Sequence, residues 1–151
     1  MLEMNTKERL RLDMKESLKA GEKLRLSTIR IMLSEIGNAE IAKRDELSEE
    51  EMVTVVTREA KRRKEAIEEY GKAGRQDLVD KESFEYSVIE SYLPRQLEET
   101  EIRRMIEEAV EETGASSPGD LGKVMSAVMP RLKGKADGRT VNLMAREILG
   151  E

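Results

Sequence analysis

Apolar residues along this chain return at intervals of three and four, and most such stretches have a capping residue ahead of them and a glycine or proline behind. Asn5, with Glu8 three residues on, opens the first; Leu10, Met14 and Leu18 carry its stripe and Gly21 closes it. From Glu22, the positions Leu26, Ile29, Leu33 and Ile36 repeat toward Ile41 and predict a second helix ahead of the charged KRDE turn. Ser48 and Glu51 form a capping box before Met52, Val55, Val56, Ala60, Ile67 and Tyr70, a third and longer helix that runs to Gly71. After the breaker-rich GKAGRQD, Leu78, Glu85, Ile89 and Tyr92 restart the helical period. That fourth helix stops at Leu93, because Pro94 disfavours helical geometry in the residue before it.

Beyond the YLP step, Glu98 is a weak cap by residue type, with Leu97 placed to staple onto Ile102. Ile102, Met105, Ile106, Ala109 and Val110 then share a face up to Gly114. Ser117 before Pro118, with Asp120 in the first turn, starts a sixth helix lined by Leu121, Val124, Met125 and Val128. Pro130 should kink or end it, since its ring clashes with the Ser126 carbonyl. Asp137 caps a seventh, in which Val141, Met144, Ala145 and Ile148 face inward. No strand-like alternation of useful length occurs. The expectation is an all-α protein: an N-terminal domain of about four helices over residues 1–94 and a C-terminal three-helix domain over 95–151.

Composition narrows the chemistry. With no cysteine and no histidine in 151 residues, there is no thiolate nucleophile, no disulfide and no imidazole base. Ser116-Ser117 reads as a helix start, and neighbouring pairs such as Glu68-Glu69 point about 100° apart on a helix. No phosphate-cradling, dinucleotide or calcium loop is present, so no catalytic residue, cofactor or metal is expected. No apolar run approaches the roughly 18 residues of a membrane span, and the N-terminus is charged from Glu3 without a signal-peptide core. The cytoplasm is the expected location, with neither membrane nor DNA as a partner.

Charge then singles out two basic runs. Arg58 to Lys64, REAKRRK, places Lys61 and Lys64 four residues before Glu65 and Glu68, the pattern of an exposed helix. Leu121 to Arg139 holds Lys123, Arg131, Lys133, Lys135 and Arg139 against Asp137 alone, a net +4 in a chain of −5. Gly134 and Gly138 between those cations would let backbone N–H groups and side chains converge on one anion. Aromatics that could stack bases are missing from the segment, so the partner it suits is the phosphate backbone of a folded RNA. Met125, Met129 and Met144 recur at helical spacing and read as adaptable core.

Three blocks, REAKRRKEAIEEYGKAGRQDLVDKE, YLPRQL and GASSPGDLGKVMSAVMPRLKGKADGRTVN, resemble those of the YqeY proteins, the stand-alone members of the GatB/YqeY group. The resemblance runs in order through nearly the whole chain. It implies two helical domains, the second similar to the tail of the GatB subunit of the glutamine-dependent aminoacyl-tRNA amidotransferase, which reaches the tRNA elbow. The tail motif falls on Gly122, Lys123, Val124, Met125, Gly134, Lys135, Ala136, Val141 and Asn142. The chemistry of that enzyme resides in portions with no counterpart here, so a carbon-nitrogen ligase label with glutamine as amido donor implies association with the pathway. The expected role is a non-catalytic tRNA-binding or tRNA-enzyme accessory protein. Its contact set is Lys123, Arg131, Lys133, Gly134, Lys135, Gly138, Arg139 and Asn142. The alternative is an adaptor that docks on a synthetase or amidotransferase without touching RNA.

Overall fold

The computed structural model describes residues 3–151, and among them every regular element is helical. Helices α1 (Thr6–Ala20), α2 (Lys23–Lys43), α3 (Glu49–Lys72) and α4 (Gln76–Glu90) belong to one compact unit that ends at Leu93. A second unit, Pro94–Glu151, holds α5 (Glu99–Thr113), a 3-10 turn (Pro118–Asp120), α6 (Leu121–Leu132) and α7 (Gly138–Ile148).

In the first unit, the Asn5 side chain accepts the Glu8 N–H at 2.8 Å, and Gly21 ends α1 at φ 72°. Glu49, in the first turn of α3, also accepts from Thr6 N–H at 2.9 Å and from the Thr6 hydroxyl, so α1 is capped from a second helix as well. Leu10 is buried, but Leu18 is exposed and Ser17 buried in its place. The reason is the helical pitch: eight residues turn Leu18 roughly 80° away from Leu10, whereas seven leave Ser17 only about 20° off. Ile29, Met32 and Ile36 of α2 pack with Met52, Val55, Val56 and Ala60 of α3 and with Ile89 and Tyr92, forming one core. Ile41 is 77% exposed, because α2 runs past Ala39, its last residue against that core. The capping box of α3 is present in both directions, Ser48 Oγ accepting from Glu51 N–H at 3.2 Å and Glu51 Oε1 from Ser48 N–H at 3.0 Å.

The α3–α4 contact contains charge. Arg63 reaches across to Glu82 at 3.1 Å and Glu85 at 2.6 Å, and Arg62 pairs with Glu59 at 2.7 Å. Glu59 and Glu85 are only 4% and 5% exposed. Lys64 lies over the Tyr86 ring at 5.3 Å rather than against Glu68, and among the described residues no ion pair joins Lys61 to Glu65. Of the cations in REAKRRK only Arg63 is turned inward, while Arg58, Lys61, Arg62 and Lys64 are exposed as the spacing suggested, though not through the two i,i+4 pairs it offered.

The second unit closes on Ile102, Ile106 and Ala109 of α5, Val124, Val128 and Leu132 of α6, and Val141, Met144 and Ala145 of α7, with Leu149. Each such Leu or Ile contributes about 2 kcal/mol by leaving water. Glu98 gains what its residue type lacks as a cap, since Glu101 Oε2 accepts its N–H at 3.1 Å. The turn after Ser117 is 3-10 and α6 proper begins only at Leu121. Pro130 is tolerated because α6 continues for just two residues beyond it.

Candidate nucleic-acid interface

Val124, Val128 and Leu132 are spaced by four, which puts one stripe of α6 into the core and leaves Lys123 and Arg131 exposed. At Lys133 the backbone turns extended, φ −56° and ψ 123°, and Gly134 follows at φ 77°. The Leu132 carbonyl accepts from Lys135 N–H at 2.9 Å and Ala136 N–H at 3.1 Å. Two residues just ahead of α5 hold this turn from the other side. Gln96 Nε2 donates to the Gly134 carbonyl at 2.7 Å, and Leu97 N–H donates to the Lys135 carbonyl at 2.9 Å.

The main chain of the turn is thus fixed, while the Lys133 and Lys135 side chains stay exposed. Arg139, in the first turn of α7, is exposed too, and Asn142 beside it is half-buried. Among the described residues no ion pair engages Lys123, Lys135 or Arg139. Arg131 differs: its guanidinium lies 3.2 Å from Glu112 on α5. Both partners are half-exposed, a pairing worth little that a phosphate could replace. Near Lys123, Asp120 is held below the usual carboxylate range by the Ser116 N–H, then the Ser117 N–H, with Lys123 adding to it. It therefore stays anionic and weakens the field at that end.

The glycines do not act as the sequence suggested. Gly134 is buried with its carbonyl taken by Gln96, and the N–H groups of Lys135 and Ala136 are consumed inside the turn. Gly138 is helical, and a Cβ there would meet only Met129 Cε at 3.7 Å. An anion would meet exposed cationic side chains here, with the N–H groups of Lys135 and Ala136 already taken. Sequence reasoning missed Gln96 and Glu112, because only the fold brings them to the basic segment. Met144 is buried and Met125 and Met129 half-buried against the same core, as their spacing suggested.

An all-α protein in two units, with a cationic turn clamped between α6 and α7, is the class that these features define. The chain matches the Yqey-like protein family over residues 7–149 and belongs to it. It is 32% identical over 148 residues to "Altered inheritance of mitochondria protein 41, mitochondrial" of Pyrenophora tritici-repentis, a match covering 94% of this chain and 80% of that protein. The Kluyveromyces lactis protein of the same name is 39% identical over 84 residues, 55% of this chain and 45% of that one. The Saccharomyces cerevisiae (strain YJM789) protein of that name is 28% identical over 140 residues, 92% of this chain and 65% of its own length. Among the described residues no helix is long and apolar enough to cross a membrane.

Proposed function

We propose that the second unit binds folded RNA, tRNA foremost, through phosphate contacts from Lys123, Lys133, Lys135 and Arg139, with Arg131 recruited from Glu112. On this reading the protein is a non-catalytic accessory of a tRNA-dependent enzyme, in the orbit of the aminoacyl-tRNA amidotransferase. The observation that carries it is a turn whose main chain is fixed from both sides while its cations remain exposed. Such preorganisation lowers the ordering cost of binding. Translation runs in mitochondria as in the cytoplasm, so the reading suits either compartment.

The test is tRNA affinity of the full chain against Lys135→Glu/Arg139→Glu. A glutamate in the first turn of α7 favours that helix, so lost binding is not lost folding. We expect about a tenfold or greater loss, similar for several tRNAs, and a log-log salt slope of roughly −2 to −4 in the parent. Unchanged affinity, or binding indifferent to salt, would overturn the reading.

One observation favours the adaptor instead. Leu143 is 54% exposed on α7, between Arg139 and Arg146 at helical spacing. Leu143→Gln should abolish capture of a protein partner on that reading and leave RNA binding intact on the first.

A further inference from the structure

Lys135 sits between two peptide planes that are each held at both ends. On its N-terminal side, the Gly134 carbonyl accepts from Gln96 Nε2 at 2.7 Å while Lys135 N–H donates to the Leu132 carbonyl at 2.9 Å. On its C-terminal side, the Lys135 carbonyl accepts from Leu97 N–H at 2.9 Å while Ala136 N–H donates to the same Leu132 carbonyl at 3.1 Å. A residue whose two flanking planes cannot rotate has fixed φ and ψ, so the direction in which its side chain leaves the surface is fixed as well. Three of these bonds run between main-chain groups. The fourth comes from the Gln96 side chain, so a substitution can remove it and leave the other three donors in place.

The orientation of the Gln96 amide is fixed too. Its Nε2 also donates to the Pro94 carbonyl at 2.9 Å, so both N–H groups are spent on carbonyl oxygens and the amide can face them only nitrogen first. Gly134 is buried and left-handed at φ 77°. Without its donor, the Gly134 carbonyl has to turn toward water, and the peptide plane it shares with Lys135 N–H turns with it. We propose that Gln96 is a positioning residue for phosphate binding: it touches no phosphate itself, and it aims the exposed Lys135 ammonium by holding the Gly134–Lys135 peptide. That role rests on the RNA reading of the C-terminal turn and adds to it a residue outside the basic segment.

The test compares the full chain with Gln96→Leu and Gln96→Glu, the second of which keeps the length of the side chain but has no donor at neutral pH. Amide hydrogen exchange, read by NMR, should quicken at Leu97, Lys135 and Ala136 in both variants and stay as it is at the core residues Val124 and Val128. In Gln96→Leu, tRNA affinity should fall about three- to tenfold, because the turn must then be ordered on binding. The log-log salt slope should equal the parent's, because the bound state keeps the same phosphate contacts. Lys135→Gln removes a contact and should instead make that slope shallower by about 0.7 to 0.9. Exchange that stays slow in both variants, a loosened turn with unchanged tRNA affinity, or a slope that falls with the affinity would each overturn the role of Gln96. So would faster exchange throughout α5, α6 and α7, the mark of a general loss of structure. A parent chain that binds no tRNA would overturn the RNA reading, and this role with it, before any variant is compared; a parent that binds while Gln96→Leu binds equally well overturns the Gln96 role alone.

Discussion

Two basic runs in this protein meet their neighbouring carboxylates differently. In REAKRRK, Arg63 and Arg62 are tied to the carboxylates of Glu82, Glu85 and Glu59, two of them almost fully buried. In the turn between α6 and α7, the Leu132, Gly134 and Lys135 carbonyls accept from main-chain N–H groups or from Gln96, and the Lys135 and Arg139 side chains reach solvent. Density of Lys and Arg does not distinguish them. What does is the register of acidic residues on the facing helix. Glu82 and Glu85 lie three apart on α4, so both point toward Arg63, whereas Glu112 reaches only Arg131. A cation with buried carboxylates opposite is part of the architecture; one without them keeps its charge at the surface.

The largest effect should come from Arg63, the inward-turned cation of REAKRRK. Arg63→Met strands Glu85 and Glu82, and removing one partner of a buried pair costs about 3–5 kcal/mol. Arg63 and Glu82 keep some exposure, so about 2–3 kcal/mol is expected, read from urea unfolding at unchanged m. Adding Glu85→Gln should recover part of the loss, because the stranded charge causes it. By contrast, Lys135→Glu/Arg139→Glu should keep stability within about 0.5 kcal/mol. An Arg63→Met variant that folds normally and loses RNA binding would reverse the comparison.

Next is the turn itself. Gly134→Ala forces a side chain into the left-handed region at φ 77° in a buried position, costing about 1–2 kcal/mol in thermal melts. Gly138→Ala should be neutral or stabilising by up to about 1 kcal/mol, since it is helical and meets only Met129. Equal losses at the two sites would mean that Gly138 is needed for its backbone after all.

The helices were legible from periods and breakers, and from caps where they form: Asn5 and Ser48 each bond as their residue types dictate, whereas Asp137 sits at the start of α7 without bonding its N–H groups, and the seven helices in four-then-three order follow from the periods. Where the reading strayed, a short-range pattern met a three-dimensional fact. A four-residue repeat implied Leu18 on the core face, but the pitch put Ser17 there. Pro118 at a first-turn position started a 3-10 turn instead of α6, because Asp120 takes the Ser116 N–H at 2.9 Å and the Ser117 N–H at 3.3 Å. The cations of the turn stand out in the sequence, but Gln96, 38 residues from the carbonyl it holds, does not. Contacts of that separation leave no local periodicity to read.

Lys43 is the intermediate case, exposed yet committed: its ammonium lies 2.7 Å from Glu51. The Lys43 hydrogen bond first, then the Ser48 N–H and hydroxyl, hold the Glu51 carboxyl down to about 2. Its folded value is below the roughly 4.3 of an unfolded glutamate, so the stabilisation is complete above that pH and fades as pH falls toward 2. Glu51→Gln should therefore flatten the decline of the urea midpoint between about pH 5 and pH 2.5, with little effect at neutral pH beyond the loss of the capping pair. Lys43→Met should raise the Glu51 midpoint in an NMR titration while leaving the Ser48 cap intact. If Glu51 already titrates at an ordinary glutamate value in the parent, the pair does not form in solution, and Lys43 joins the exposed cations that carry no ion pair.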